Sequence, residues 1–103
     1  MASKASKACD ISPKVRAEVT ERDNGMCIVC GTTQGIQIAH YISRARLGLG
    51  IPQNLACMCH RCHFDYDNGK RHREIKTLFE GRLRANYEQW DEQELTYKKY
   101  GRI

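Results

Sequence analysis

Seven residues in the middle of this chain are of the types that hold metals or move protons. Cys27 and Cys30 form one Cys-x-x-Cys pair and Cys59 and Cys62 a second; His40 and Asn54 fall between the pairs, and His63 follows the last cysteine. A tight turn between paired cysteines points both sulfurs the same way. Two pairs therefore supply four thiolates, the tetrahedral shell that Zn2+ takes in structural sites. Four sulfurs leave no position for a water, so such a zinc would hold the fold and leave the chemistry to neighbouring side chains. His60, inside the second pair, competes as a zinc ligand, but the spacing favours Cys59 and Cys62. Histidine, with an ordinary pKa of about 6.5, can accept a proton from water at neutral pH. His40 and His63 are thus the residues to watch.

The composition narrows the class. A chain of 103 residues is one small domain with a limited core, the size at which metals or disulfides supplement burial. Lys and Arg number 17 against 12 Asp and Glu, a formal charge of +5 that suits a polyanionic partner. The 6 cysteines could instead mark a secreted disulfide scaffold. Two Cys-x-x-Cys pairs favour metal over disulfide, Met1 to Ala8 show no apolar signal region, and no apolar run approaches the length of a membrane span. Reduced thiols in a cytoplasmic protein with no membrane partner are the expectation.

The elements that must position these residues follow from periodicity and punctuation. Residues 1–10 read as a disordered tail with Cys9 a free thiol. Ser12-Pro13 starts a helix with Val15 and Val19 on one face and Lys14, Arg16, Glu18, Glu21, Arg22 and Asp23 on the wet faces; Asn24-Gly25 ends it. Gly31 lets the chain turn after Cys30, forming a zinc knuckle. Gly35 to His40 alternates apolar and polar residues, which reads as a strand. Tyr41 to Gln53 is a loop carrying Arg44 and Arg46, Asn54 to Met58 a second strand with Cys57 a small core residue, and His60 to Asp67 a short helix stopped by Asn68-Gly69. A basic cluster of Lys70, Arg71, His72 and Arg73 precedes an amphipathic helix with Ile75, Leu78, Phe79 and Leu83 on its apolar stripe; His72 reads as a surface residue. Trp90-Asp91 opens a last polar helix through Leu95 and Tyr97, before Lys98-Lys99-Tyr100-Gly101-Arg102. The fold class is α+β: a zinc-stabilised core over residues 11–69 with an N-terminal helix, and a basic helical extension over residues 70–103 packed on it.

With these residues in place, the chain resembles HNH endonucleases of the zinc-containing type, within the ββα-metal or His-Me finger group. Four stretches carry the resemblance: Cys27-x-x-Cys30, Ala39-His40-Tyr41-Ile42, Asn54-Leu55 and Cys59-x-x-Cys62-His63. It is similar also to a subset of small phage and prophage proteins with an Ala-His-Tyr or Gly-His-Tyr motif and a Gly-Leu-Gly-Ile segment before the asparagine, here Gly48 to Ile51. The likeness spans residues 12–68, roughly half of the chain. It implies that His40 is a general base, that Asn54 orients it by hydrogen bonding across the loop, and that His63 binds a catalytic divalent ion distinct from the zinc. In related colicin nucleases a further ligand lies four residues on, here Asp67; His63 and Asp67 are i and i+4, on one face of a helix. Most such enzymes place a metal-binding Asp, Glu or His before the general base, where this chain has Ala39. That leaves His63 and Asp67, with water and substrate phosphate completing a shell for Mg2+, Mn2+ or Ni2+.

The implied activity is hydrolysis of phosphodiester bonds in DNA, most simply double-stranded DNA, by nicking or double-strand cleavage. Arg44 and Arg46 either meet the scissile phosphate or its neighbour or are solvated loop arginines, and Lys70, Arg71, Arg73, Arg82 and Arg84, each read singly as solvated, would as a group touch the DNA backbone. Homodimerisation and contact with phage packaging or recombination proteins fit the same picture. The competing reading is a non-catalytic zinc-stabilised nucleic-acid-binding module, which explains the cysteines and the charge but not His40, Asn54 and His63 at these offsets. A protein-interaction zinc module leaves the basic balance unexplained.

Overall fold

In the computed structural model, residues 3–98 are described, so Met1, Ala2 and the stretch Lys99 to Ile103 lie outside the account. The elements run α1 (Lys4–Cys9), α2 (Pro13–Arg22), β1 (Ile36–His40), β2 (Leu55–Cys59), α3 (His60–Asp67) and α4 (His72–Asn86). Single 3₁₀ turns at Arg44–Arg46, Pro52–Asn54 and Glu92–Glu94 punctuate the connections. This is a small α+β domain with a two-stranded antiparallel sheet and a four-cysteine cluster. No helix among the described residues is long and apolar enough to cross a membrane.

Each element follows from local chemistry. Ser12 caps α2, its hydroxyl accepting from the Val15 amide at 3.1 Å, with Pro13 at the first helical position. The alternation Ile36-Gln37-Ile38-Ala39-His40 forms β1, which pairs with β2 in the register Ile38 to Cys57 and His40 to Leu55. One face of the sheet takes α2, closing a small cluster of Val19, Leu55 and Cys57 with Ile38 against it. The other takes α3 and α4, where Ala39, Tyr41, Met58, Tyr66, Ile75, Phe79, Leu83 and Trp90 form the main core. The Tyr41 ring packs edge-on against both Phe79 and Trp90, at 5.3 and 5.6 Å between centroids.

The structure corrects three expectations. Residues 4–9 form α1 instead of a disordered stretch, and Cys9 is buried. Six residues cannot sustain a helix alone in water; docking against the loop after β1 holds this one, with the Gly50 amide donating to the Ala8 carbonyl at 2.9 Å. Arg22 and Asp23 are not on a wet face. Asp23 is buried, pairs with both ends of the Arg22 guanidinium and accepts from the Cys57 amide at 2.9 Å; Arg22 also donates to the carbonyls of Pro52 and Leu55 and to the Tyr87 hydroxyl. Together they satisfy the outer edge of β2, where a bare strand would leave unpaired backbone groups. Finally, Trp90 to Tyr97 is not a helix beyond one 3₁₀ turn. Trp90 and Leu95 are buried, and the backbone there is bonded to the loop: Leu49 donates to Leu95 and Tyr97 to Leu47.

Candidate active site and metal centre

The four thiols of Cys27, Cys30, Cys59 and Cys62 lie within 4.8 Å of one another, a cluster that could hold a zinc ion. Sulfurs at about 2.3 Å from a tetrahedral ion stand about 3.8 Å apart, and Cys30 Sγ and Cys59 Sγ are separated by 3.7 Å. Both knuckles aim amides at sulfur: Val29 donates to Cys27 Sγ and Cys62 to Cys59 Sγ, each at 3.4 Å. Gly31 adopts φ 79°, the left-handed conformation that the turn after Cys30 requires. Burial opposes ionisation of Cys27, yet the surrounding backbone amides outweigh it and bring that thiol down to about 7. His60 is exposed and stands outside the cluster, its Nδ1 3.4 Å from Gln37 Nε2. Cys57 faces α2 and is fully buried, its thiol pushed up to about 11 by burial and by Asp23.

A cleft of about 720 Å³ is bounded by β1, the loop that follows it, α2 and α3, and its lining includes His40, His63, Asp67, Arg44 and Arg16. His63 Nδ1 meets Gln37 Oε1 at 2.7 Å, and His63 Nε2 lies 3.1 Å from Asp67 Oδ2. A carbonyl oxygen can only accept, so Nδ1 carries a proton and the Nε2 lone pair of the neutral ring would face a carboxylate. That contact is repulsive unless a positive charge lies between them, either a second proton or a metal cation. Two ligands at about 2.1 Å from an octahedral ion and at right angles stand about 3.0 Å apart, so the pair suits one edge of such a shell. Among the described residues only the cysteines gather three or more donors, so His63 and Asp67 remain a pair. Ala39 is fully buried against the core and adds nothing to it.

His40 is half-buried, with Nε2 2.9 Å from the Cys9 carbonyl oxygen. Burial lowers its pKa below the ordinary histidine value; Arg44 and His63 push the same way, while the Cys9 carbonyl and Asp67 oppose them. Asn54 is fully buried behind the loop. It accepts from the Ile42 amide at 2.8 Å and donates to the carbonyls of Ile42 and Leu49 at 3.1 and 2.8 Å. These bonds cross the loop as expected, but they end on backbone, not on the His40 ring.

The arginines divide. Arg44 lines the cleft, donating to the Cys9 carbonyl at 2.7 Å and pairing with Asp10 at 2.8 Å. Arg46 lines a neighbouring hollow with His72, Lys76 and Asp67. Lys70, Arg71 and Arg73 lie away from the cleft, at the start of α4, where Arg71 pairs with Asp65 and Glu74. His72 is exposed but engaged, stacking on Tyr66 and bonding the Tyr66 carbonyl. Arg16, expected only on a wet face of its helix, lines the cleft, and Gln37, which bonds His63, carries no site role in the sequence analysis. Strand alternation places Gln37 on the face of Ala39, toward α3, which is the signal that could have found it. No family model matches the chain, and no curated protein matches it by sequence.

Proposed function

We propose that this chain is a metal-dependent DNA endonuclease of the HNH type, hydrolysing phosphodiester bonds. One observation carries the reading: His40 at the end of β1 and the pair His63 and Asp67 on α3 line a single cleft with Arg44 and Arg16. His40 acts as the general base. The Cys9 carbonyl occupies Nε2, so Nδ1 of the neutral ring keeps the lone pair that takes a proton from water. A positioned base of this kind contributes roughly 10²–10⁴ in rate. Gln37 fixes the His63 ring so that its Nε2 and Asp67 face the same point. A divalent cation held there, Mg2+, Mn2+ or Ni2+, would supply the positive charge that offsets the phosphate oxygens and the leaving oxygen. Arg16 and Arg44 extend the positive lining toward a polyanion, and the cysteine-bound zinc anchors the strand and helix that carry the site.

The test is incubation of supercoiled plasmid with the protein and Mg2+, Mn2+ or Ni2+, beside His40→Ala. Nicking or linearisation that requires added metal and vanishes in the variant is expected. The competing reading, a zinc-stabilised nucleic-acid-binding module without catalysis, draws on the buried Ala39 and the two-donor metal pair. Binding without cleavage under every metal would establish it instead.

A further inference from the structure

We infer that the end of α1 is a positioning element for His40: the Cys9 carbonyl, delivered from 31 residues away, fixes the ring with Nε2 as donor and Nδ1 as the free acceptor. Its importance for cleavage rests on the function proposed above; the geometry does not. A histidine ring on a strand end can rotate and exchange its proton between nitrogens, and a base works only while the correct nitrogen is unprotonated and aimed. A carbonyl oxygen removes that freedom because it can only accept.

The carbonyl is itself held from several sides. Arg44 donates to the same oxygen at 2.7 Å and grips Asp10 with its other nitrogen at 2.8 Å. The Gly50 amide donates to the Ala8 carbonyl, and Cys9 is only 1% exposed. Gly50 has no room for a side chain: a Cβ there would overlap the Asp10 carbonyl and crowd that of Cys9. The loop and the end of α1 are therefore fitted to each other, and the fit ends on the imidazole. Arg44 so acquires a role beyond lining the cleft, as a clamp on the group that orients the base.

Two full-length variants test this. Gly50→Ala inserts a methyl group where the α1 segment sits. Cys9→Asp places a charge in the buried Cys9 pocket and undocks the segment without touching any of the four clustered cysteines. Each is checked for one equivalent of bound zinc and for Trp90 fluorescence. The ring N–H proton of His40 is followed by NMR at pH 8, in metal-free buffer apart from the zinc. The parent is expected to show a protected Nε2–H resonance, because the hydrogen bond shields it from exchange; both variants should lose it while keeping zinc. With plasmid and divalent metal, the variants should lose about tenfold in kcat, with KM within about twofold, a misplacement effect and not one of binding. A parent without the Nε2–H resonance overturns the inference, as does its persistence in both variants. So does its loss with cleavage at the parent rate. If the parent cleaves nothing, the proposed function fails, and the resonance still decides whether Cys9 holds the ring.

Discussion

Replacing Asp23 with alanine should destabilise the protein by about 3 kcal/mol. The Asp23 side chain is 1% exposed and that of its partner Arg22 13%. The substitution removes the counter-charge from a nearly buried guanidinium and leaves the Cys57 amide, at 2.9 Å from the carboxylate, without an acceptor. An orphaned buried amide costs about 1–3 kcal/mol, and breaking a buried ion pair from one side costs about 3–5 kcal/mol in all. Arg22 keeps the Pro52 and Leu55 carbonyls and the Tyr87 hydroxyl, which places the loss at the lower end of that range. At about 1.4 kcal/mol per decade, the folded-to-unfolded ratio falls about a hundredfold. The assay is denaturant unfolding at fixed excess zinc, followed by Trp90 fluorescence, since bound metal contributes to apparent stability. Glu74→Ala, which removes an exposed partner of Arg71, serves as the control and should leave the midpoint unchanged. A loss under about 1 kcal/mol for Asp23→Ala would refute the idea that this pair closes the sheet edge.

Asn54→Ala strips three buried hydrogen bonds from the loop and should cost about 2–4 kcal/mol in the same unfolding assay; plasmid cleavage should fall with it while bound zinc stays at one equivalent. Cys59→Ser should unfold the domain, because the binding energy of a structural zinc is folding energy; a folded variant with full zinc content, by circular dichroism and metal analysis, would count against the ligand set. The His40 pKa is lowered in the folded state, so the fold favours the neutral ring. That contribution is fully present above about pH 6.5, the unfolded value, and is lost as pH falls from there through the folded value. The acid limb of kcat/KM should accordingly lie below pH 6.5, and a limb at or above that value would contradict the burial argument.

Much of the scaffold can be read from local pattern. Cys59 to Asp67 encodes a knuckle, a helix and the paired His63 and Asp67 side chains within nine residues, and Ile36 to His40 alternates cleanly. What escapes such reading is set by distant partners. The segment Lys4 to Cys9 has no apolar stripe and becomes a helix because Gly50 and Arg44 receive its end. Arg22 and Asp23 look like solvated charges until β2 presents an open edge to them. Trp90 to Tyr97 is polar enough for an exposed helix, yet the loop from Leu47 to Leu49 claims its backbone. The basic run at Lys70 to Arg73 is conspicuous in the sequence and lies off the cleft, whereas Arg16, one of several wet-face charges on its helix, lines it.

The helix α3 carries Cys62 and His63 side by side, so a zinc held by the cysteines and a cation held at His63, as proposed, would share one support. Eight residues have too few internal bonds to stay wound unaided, so the sulfur cluster acts as the fuse for everything mounted beyond it. Oxidising two of those thiols to a disulfide would eject any zinc bound there, release the helix and scatter His63 from Asp67. If the proposed nuclease activity holds, it would fall silent under oxidative stress without any change to His40, His63 or Asp67, and reductant together with fresh zinc would restore it.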